Sequence, residues 1–447
     1  MKISQLKKVH FVGIGGIGMS ALALHLAANG VEVSGSDRTC NQTCLRLERS
    51  GVCVKIGHFA DNVPRNCDLV VTTDALFADN VEVARAKSLG IEVVGRAQLL
   101  GKIFDGFPVK IAVCGTHGKT TVCAMLDYVL RKLKVDHASF IGGAVRDTHS
   151  NYTCGRGVVV AEACEYKRNF LQLHPDVLVC LNTEWDHPDC YPNAADMSDA
   201  YASFFKNVAK GGVVLANSDD VAAALTEGAT HKLFGCKNAD YTVKNVVGNG
   251  GTYSFDFCDG KNVVAVSLPI YGKHNVYNAA ATLAVVSLLG QNLTEAASAL
   301  ATFPGVERRF VTRASKQGFL LAVDYAHHPT EIAASIVAAR EASEGGKVVV
   351  VFQPHTYSRT RFLWEQFARC FVGADVVAML PVYAAREKPA CGVDSQRLLD
   401  SVVGVDEKVF LCDFDKAATF VASVAQKGDV VLLLGAGDVN EIAEKIP

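Results

Sequence analysis

Short continuous apolar runs recur along the chain, each closed by glycine or by a cluster of polar residues, with helix-period segments between them. Continuous rather than alternating apolarity marks strands buried on both faces, as in a parallel sheet covered by helices. Lys8–Val12, Val31–Gly35, Cys53–Ile56, Leu69–Thr72 and Glu92–Val94 read as such strands, with helices over Met19–Ala28 and Val81–Leu89. After the break at Asp105-Gly106-Phe107-Pro108, a strand opening at Val109 runs into a glycine turn. Apolar positions 122, 125, 126, 129, 130 and 133 then share one helical face. Further strands are expected at Gly157–Ala161, Val177–Leu181 and Gly211–Ala216. The partly alternating stretch 241–268 predicts a small antiparallel addition. A last break at Phe303-Pro304-Gly305 precedes strands at Leu320–Val323, Val348–Phe352, Val376–Leu380 and Val430–Leu434. Strand and helix alternate throughout, which predicts an α/β fold.

Two glycine-rich turns fall between a strand and a helix. Gly13-Ile14-Gly15-Gly16-Ile17-Gly18 has the spacing that lets backbone N–H groups and a helix N-terminus hold a diphosphate, and Asp37 stands where an acidic residue would reach a ribose hydroxyl. That fingerprint fits a nicotinamide-dependent oxidoreductase or any other nucleotide diphosphate. Gly115-Thr116-His117-Gly118-Lys119-Thr120-Thr121 is a second phosphate cradle, with the lysine for the outer phosphates and a threonine hydroxyl for Mg²⁺. It is not a full P-loop, because Val113 occupies the position of the first glycine. Polar clusters follow other strands. Glu162 or Glu165 and His187 are candidate metal ligands; Asp324 to Glu331, with Arg359, is a candidate anion site. His274, Asn275 and Asn278 open a helix, where asparagine is usually a cap but here could face a base edge.

Composition narrows the classes. The 447 residues are 49% apolar and 20% charged, which leaves little room for disorder, and the net charge of −2 offers no footprint for nucleic acid or an anionic membrane. The N-terminus lacks a signal-peptide layout and no apolar run reaches membrane-spanning length. Fifteen cysteines without a C-x-x-C pair suit reduced thiols, so a cytoplasmic protein is expected.

Taken together, GIGGIGMSALA (13–23), GTHGKTT (115–121), EACE (162–165), NTEWDH (182–187), GKHNVYNAAAT (272–282), GVERRF (305–310), DYAHHPTEI (324–332), FQPHTYSRTR (352–361) and LLGAGDV (433–439) resemble the Mur ligases over essentially the whole chain. The resemblance implies three domains: a Rossmann-like UDP-sugar domain (1–106), a central P-loop-type ATPase domain with the antiparallel addition (107–307), and a Rossmann-like amino-acid domain (308–447). It implies an ATP-dependent amide ligase acting on UDP-N-acetylmuramate and L-alanine. Expected cofactors are ATP and Mg²⁺, with Mn²⁺ as an alternative ion, and the expected state is a monomer or weak homodimer without nucleic-acid or membrane partners. A ligase attaching a whole peptide fits nearly every motif as well.

Carried over by position, Gly15, Gly16, Ile17, Gly18, Asp37, His58 and Thr73 would bind UDP-sugar. Gly115 to Thr121, His274, Asn275, Asn278, Arg309 and Asp324 would serve ATP. Thr120, Glu162 and His187 would bind metal, and Tyr325, His327 and Arg359 the amino acid. Lys119, Glu162, His187, His327 and Arg359 are the expected catalytic set. Thr356 stands where some relatives carry an arginine for the amino acid, and Ala202 where siblings for later amino acids carry a modified lysine.

Overall fold

The computed structural model of the chain describes residues 3–446 apart from 75, 77–78, 221–229, 344, 386 and 391. The chain divides into two compact units: Met1–Thr183 with Ser198–Asp240 and Ala284–Ala296, and Glu184–Met197 with Tyr241–Leu283 and Ala297–Pro447. The α/β expectation holds in both.

The first unit contains a five-stranded parallel sheet in the spatial order Cys53–Ile56, Glu32–Asp37, Lys8–Val12, Leu69–Thr72, Glu92–Gly95. The chain builds outward from Lys8–Val12 to one side, then restarts on the other. The carboxyl ends of Lys8–Val12 and Leu69–Thr72 therefore flank a reversal of winding, where such sheets open a crevice. Helix Ile17–Ala28 begins at that rim. A second sheet in this unit orders His231–Gly235, Val213–Asn217, Val177–Cys180, Val109–Cys114, Val158–Glu162, His137–Val145 and Ser150–Thr153. The pairings Val109–Cys114 makes, with Val177–Cys180 and Val158–Glu162, are parallel, so three strands end together on one rim. The strand's centre, Ile111 to Cys114, is fully buried, as its unbroken apolar run required.

The second unit holds the antiparallel strands Tyr241–Asn249, Thr252–Cys258 and Val263–Leu268, as the alternation predicted. It also holds a six-stranded sheet ordered Val311–Ala314, Leu320–Asp324, Val430–Leu434, Val348–Phe352, Val376–Met379, Glu407–Phe410, parallel except for its first strand. Strand Val348–Phe352 shows why a continuous run is needed. Val348, Val350 and Phe352 face a core shared with Ile332 and Ile336 of helix Pro329–Ala342, while Val349 and Val351 face another shared with Ala417 and Val421 of helix Phe414–Val424. Among the described residues no helix is long and apolar enough to cross a membrane.

Candidate active site

The centre of the first unit is the turn between Val109–Cys114 and helix Lys119–Lys132. Gly115 and Gly118 both take positive φ, +134° and +86°, which L side chains rarely adopt. Asn182, just past the end of Val177–Cys180, pins the loop: its Oδ1 accepts from the His117 N–H at 2.8 Å and its Nδ2 donates to the His117 carbonyl at 3.1 Å. Lys119 opens the helix, yet its ammonium folds back to the Thr116 carbonyl (3.0 Å) and pairs with Glu165 at 2.9 Å. Burial works against the lysine's charge, but Glu165 more than offsets it, so the pKa is raised. Thr120 Oγ1 donates to Glu162 Oε2 at 2.9 Å, and the same oxygen accepts from the Gly142 N–H at 2.9 Å. A Cβ at Gly142 would stand 2.7 Å from the Glu162 carboxyl carbon, so only glycine admits the carboxylate there. The two glutamates left open by the sequence thus have different partners: Glu162 meets the threonine hydroxyl, Glu165 the lysine.

The other glycine loop is tied down from the neighbouring strand. Gly13 and Ile14 donate to the Ser36 carbonyl, and Asp37 Oδ2 accepts from the Gly15 N–H at 2.9 Å. Asp37 therefore shapes the loop directly, a task its spacing did not announce. Thr73 lies over Gly13, where a Cβ would be 2.6 Å from its methyl group. His58 Nδ1 is 3.0 Å from Ser36 Oγ and 3.3 Å from Glu82. Glu82 is fully buried and also meets His10 Nε2 (3.1 Å), Ser36 Oγ (2.7 Å), the Phe59 N–H (3.1 Å) and Asn62 (2.8 Å). Burial opposes its charge, and the bonds from His10, Ser36 and Asn62 still hold its carboxyl below the ordinary range. Glu82 was missed in the sequence because it reads as a first-turn acid of an exposed helix.

In the second unit, the residues past Leu320–Asp324 and Val348–Phe352 converge. Arg359 is buried and holds Asp186 with two bonds, Nε to Oδ1 and Nη2 to Oδ2, both 3.1 Å, while Nη1 faces His355 Nδ1 at 3.2 Å. Burial opposes the Asp186 charge, yet Arg359 and then His187 hold it well below the ordinary carboxylate range. His187 follows with φ of 55°, an unusual conformation for a non-glycine residue. The His327 ring stands edge-on to Tyr325 (5.4 Å) and to His355 (5.8 Å), and His355 stacks on Tyr383. Burial, then Arg359, push the His327 pKa down to about 3. Its Nδ1 lies 3.0 Å from the Tyr325 carbonyl, which can only accept, so Nδ1 carries the proton and Nε2 the lone pair.

Arg308 and Arg309 both lie over the Tyr325 ring, and Arg308 also donates to the Gly435 and Gly437 carbonyls. Burial raises the pKa of Asp324, which accepts from Ser335 Oγ at 2.6 Å. At the start of helix His274–Leu288, Asn275 donates to the Tyr271 carbonyl and Asn278 to Asn275 Oδ1, so both are engaged in capping geometry.

The structure thus brings Lys119, Thr120 and Glu162 together in the first unit, and Tyr325, His327 and Arg359 in the second. Asp186, His355 and Asn182 join these groups without having been singled out; the partners of Asp186 and Asn182 lie far off in sequence.

Family profiles cover most of the chain in order. "Mur ligase family, catalytic domain" matches residues 8–108, "Mur ligase middle domain" 113–286, and "Mur ligase, glutamate ligase domain" 308–437. The chain belongs to the Mur ligase family. This Mur ligase is 39% identical, over 100% of its length and 97% of the relative's, to the UDP-N-acetylmuramate–L-alanine ligase of Thermobifida fusca. It is 37% identical to that of Acetivibrio thermocellus, over 99% of this chain and 96% of the other. Among solved structures, the UDP-N-acetylmuramate-alanine ligase of Thermotoga maritima aligns with a TM-score of 0.83 and 31% identity, covering 98% of this chain and 97% of that one. A murein peptide ligase of Psychrobacter arcticus, 22% identical with a TM-score of 0.75, shares the fold. In this Mur ligase the glycine loop at 13–18 falls in the first matched region, the loop at 115–121 in the second, and Asp324, Tyr325, His327 and Arg359 in the third.

Proposed function

We propose that this Mur ligase is a UDP-N-acetylmuramate–L-alanine ligase, which joins L-alanine to the lactyl carboxylate of UDP-N-acetylmuramate in peptidoglycan precursor synthesis and releases ADP and phosphate. Full-length identity to curated alanine ligases supports this most strongly. A carboxylate is a poor acyl donor. One of its oxygens therefore attacks the γ-phosphorus of ATP, ADP leaves, and an acyl phosphate results. The alanine amine, having lost a proton, attacks the acyl carbon, and phosphate departs with the carboxylate oxygen.

Catalysis of such steps is mainly positioning and charge neutralisation. Lys119 and the backbone N–H groups at the start of helix Lys119–Lys132 hold the outer phosphates, in the loop Gly115 to Thr121 whose Thr116 and His117 N–H groups are held by Asn182. Thr120 and Glu162 present two oxygen donors 2.9 Å apart, which fits Mg²⁺ or Mn²⁺, hard cations that prefer oxygen ligands. The family resemblance adds His187 as a candidate metal ligand. Bound there, the ion would neutralise charge on the transferring phosphoryl group. Arg309, Asp324, His274, Asn275 and Asn278 serve the nucleotide. Tyr325, His327 and Arg359 serve alanine: the neutral His327 Nε2 accepts a hydrogen bond from the amino group, and the unshared N–H groups of Arg359 face its carboxylate. The loop Gly15 to Gly18, with Asp37, His58 and Thr73, holds UDP. ADP release measured with UDP-N-acetylmuramate and each amino acid in turn tests the proposal. Turnover should need L-alanine; turnover with a peptide or D-amino acid instead would assign a sibling activity.

A further inference from the structure

Arg96 is the first residue of helix Arg96–Phe104, which leaves the strand Glu92–Gly95 on the same rim as the glycine loop. A cation at this position opposes the helix macrodipole, and no acidic residue in the first turn compensates. The side chain is half-buried and makes no hydrogen bond or ion pair among the described residues. Instead it lies along Gly18: a Cβ there would stand 3.1 Å from Arg96 Cδ and 3.3 Å from Nη1. The last glycine of the loop thus makes room for a guanidinium. Its charge is also felt at Cys164, whose thiol burial pushes up to about 11 while Lys119 and Arg96 pull it down, so Arg96 lies towards the ATP loop as well. A helix-opening cation without a partner among the described residues breaks a local rule, and such violations concentrate where a ligand supplies what is missing.

We propose that Arg96 is a substrate-binding residue that clamps the diphosphate of the UDP-sugar against the loop Gly15 to Gly18. This rests on the reading that UDP occupies that loop. A planar guanidinium can give a phosphate paired, charge-assisted hydrogen bonds, and the anion would offset the unfavourable helix-end charge. With no partner to lose among the described residues, Arg96 contributes to the liganded enzyme and little to the free fold.

The test measures UDP affinity by calorimetry, the KM of UDP-N-acetylmuramate, the KM of ATP, and Tm, for Arg96→Gln and Arg96→Lys. Arg96→Gln should weaken UDP and raise the UDP-N-acetylmuramate KM about tenfold or more, as expected for a lost charge-assisted bond. Arg96→Lys should recover part of this. The ATP KM should stay within about twofold, and Tm should be unchanged or slightly higher, since the dipole conflict is relieved. Gly16→Val tests the underlying reading. Gly16 has φ of −68° and ψ of 139°, which valine accepts, and its Cβ would have no neighbour nearer than 3.5 Å. Valine would therefore fold but crowd the diphosphate. Loss of UDP affinity in Gly16→Val but not in Arg96→Gln overturns the clamp and leaves the site standing. No loss in either removes the site itself. An unchanged UDP affinity with a raised UDP-N-acetylmuramate KM also overturns the proposal, because it moves Arg96 to the sugar or its lactyl group.

Discussion

Lys119→Met separates catalysis from stability in one residue. The ammonium is the charge expected on the outer phosphates, and in the free protein it neutralises Glu165, which is only 2% exposed. Removing one partner of such a buried pair costs about 3–5 kcal/mol. At roughly 2–4 °C per kcal/mol for a domain of this size, the melting transition should fall on the order of 10 °C. Turnover should fall by about 10²–10³-fold or more, the usual effect of deleting one preorganised charge at a developing anion. UDP affinity, read at a different loop, should hardly change. The double variant Lys119→Met/Glu165→Gln removes the orphaned charge, so most of the thermal loss should return while ADP release stays abolished. Differential scanning calorimetry and a coupled ADP-release assay read the two effects. Near-normal turnover in Lys119→Met, or turnover returning with Tm in the double variant, would refute the phosphate-loop assignment.

Three further perturbations probe the remaining parts. Glu162→Ala, Thr120→Ala and His187→Ala should each raise the Mg²⁺ concentration for half-maximal rate, and Glu165→Gln should do so less; a larger shift in Glu165→Gln would exchange the roles of the two glutamates. Arg359→Lys should raise the KM for L-alanine about tenfold or more, since a charge-assisted bond is worth roughly 1.5–3 kcal/mol, while the ATP KM stays put. A raised ATP KM with an unchanged alanine KM would move Arg359 to the phosphates. His327 stays neutral in the fold down to about pH 3, below its ordinary value. Between about pH 6.5 and that value the unfolded chain binds a proton the folded one does not, so stability drops as pH falls through this window. His327→Gln should shallow that drop in chemical-denaturation curves, and an unchanged slope would mean the imidazole is charged in the fold.

Much of the fold was readable because doubly covered strands must be apolar at every position. Leu69–Thr72, Val348–Phe352 and Val430–Leu434 have the limits their runs imply; Cys53–Ile56 has them too, although it is an edge strand with three of its four side chains exposed. Among the strands that escaped, Val311–Ala314 and Glu407–Phe410 sit at sheet edges with mostly half-buried or exposed side chains, so nothing forced an apolar run. His137–Val145 escaped because glycine, serine and histidine interrupt it. Candidate site residues were visible where chemistry clusters in sequence, as in Lys119-Thr120. Pairings across long separations were not: Asp186 with Arg359 spans 173 positions and Asn182 with His117 spans 65. Arg96 and Glu82 carry no motif, and only their neighbours in space distinguish them from surface charges.

The acyl phosphate is the central chemical claim, and oxygen-isotope transfer tests it most directly. UDP-N-acetylmuramate labelled with heavy oxygen in the lactyl carboxylate, turned over with ATP and L-alanine, should place one labelled oxygen in each released phosphate, detectable by phosphorus NMR. Phosphate free of label, with ADP formed in step with the amide product, would contradict phosphorylation of the carboxylate and the roles drawn from it.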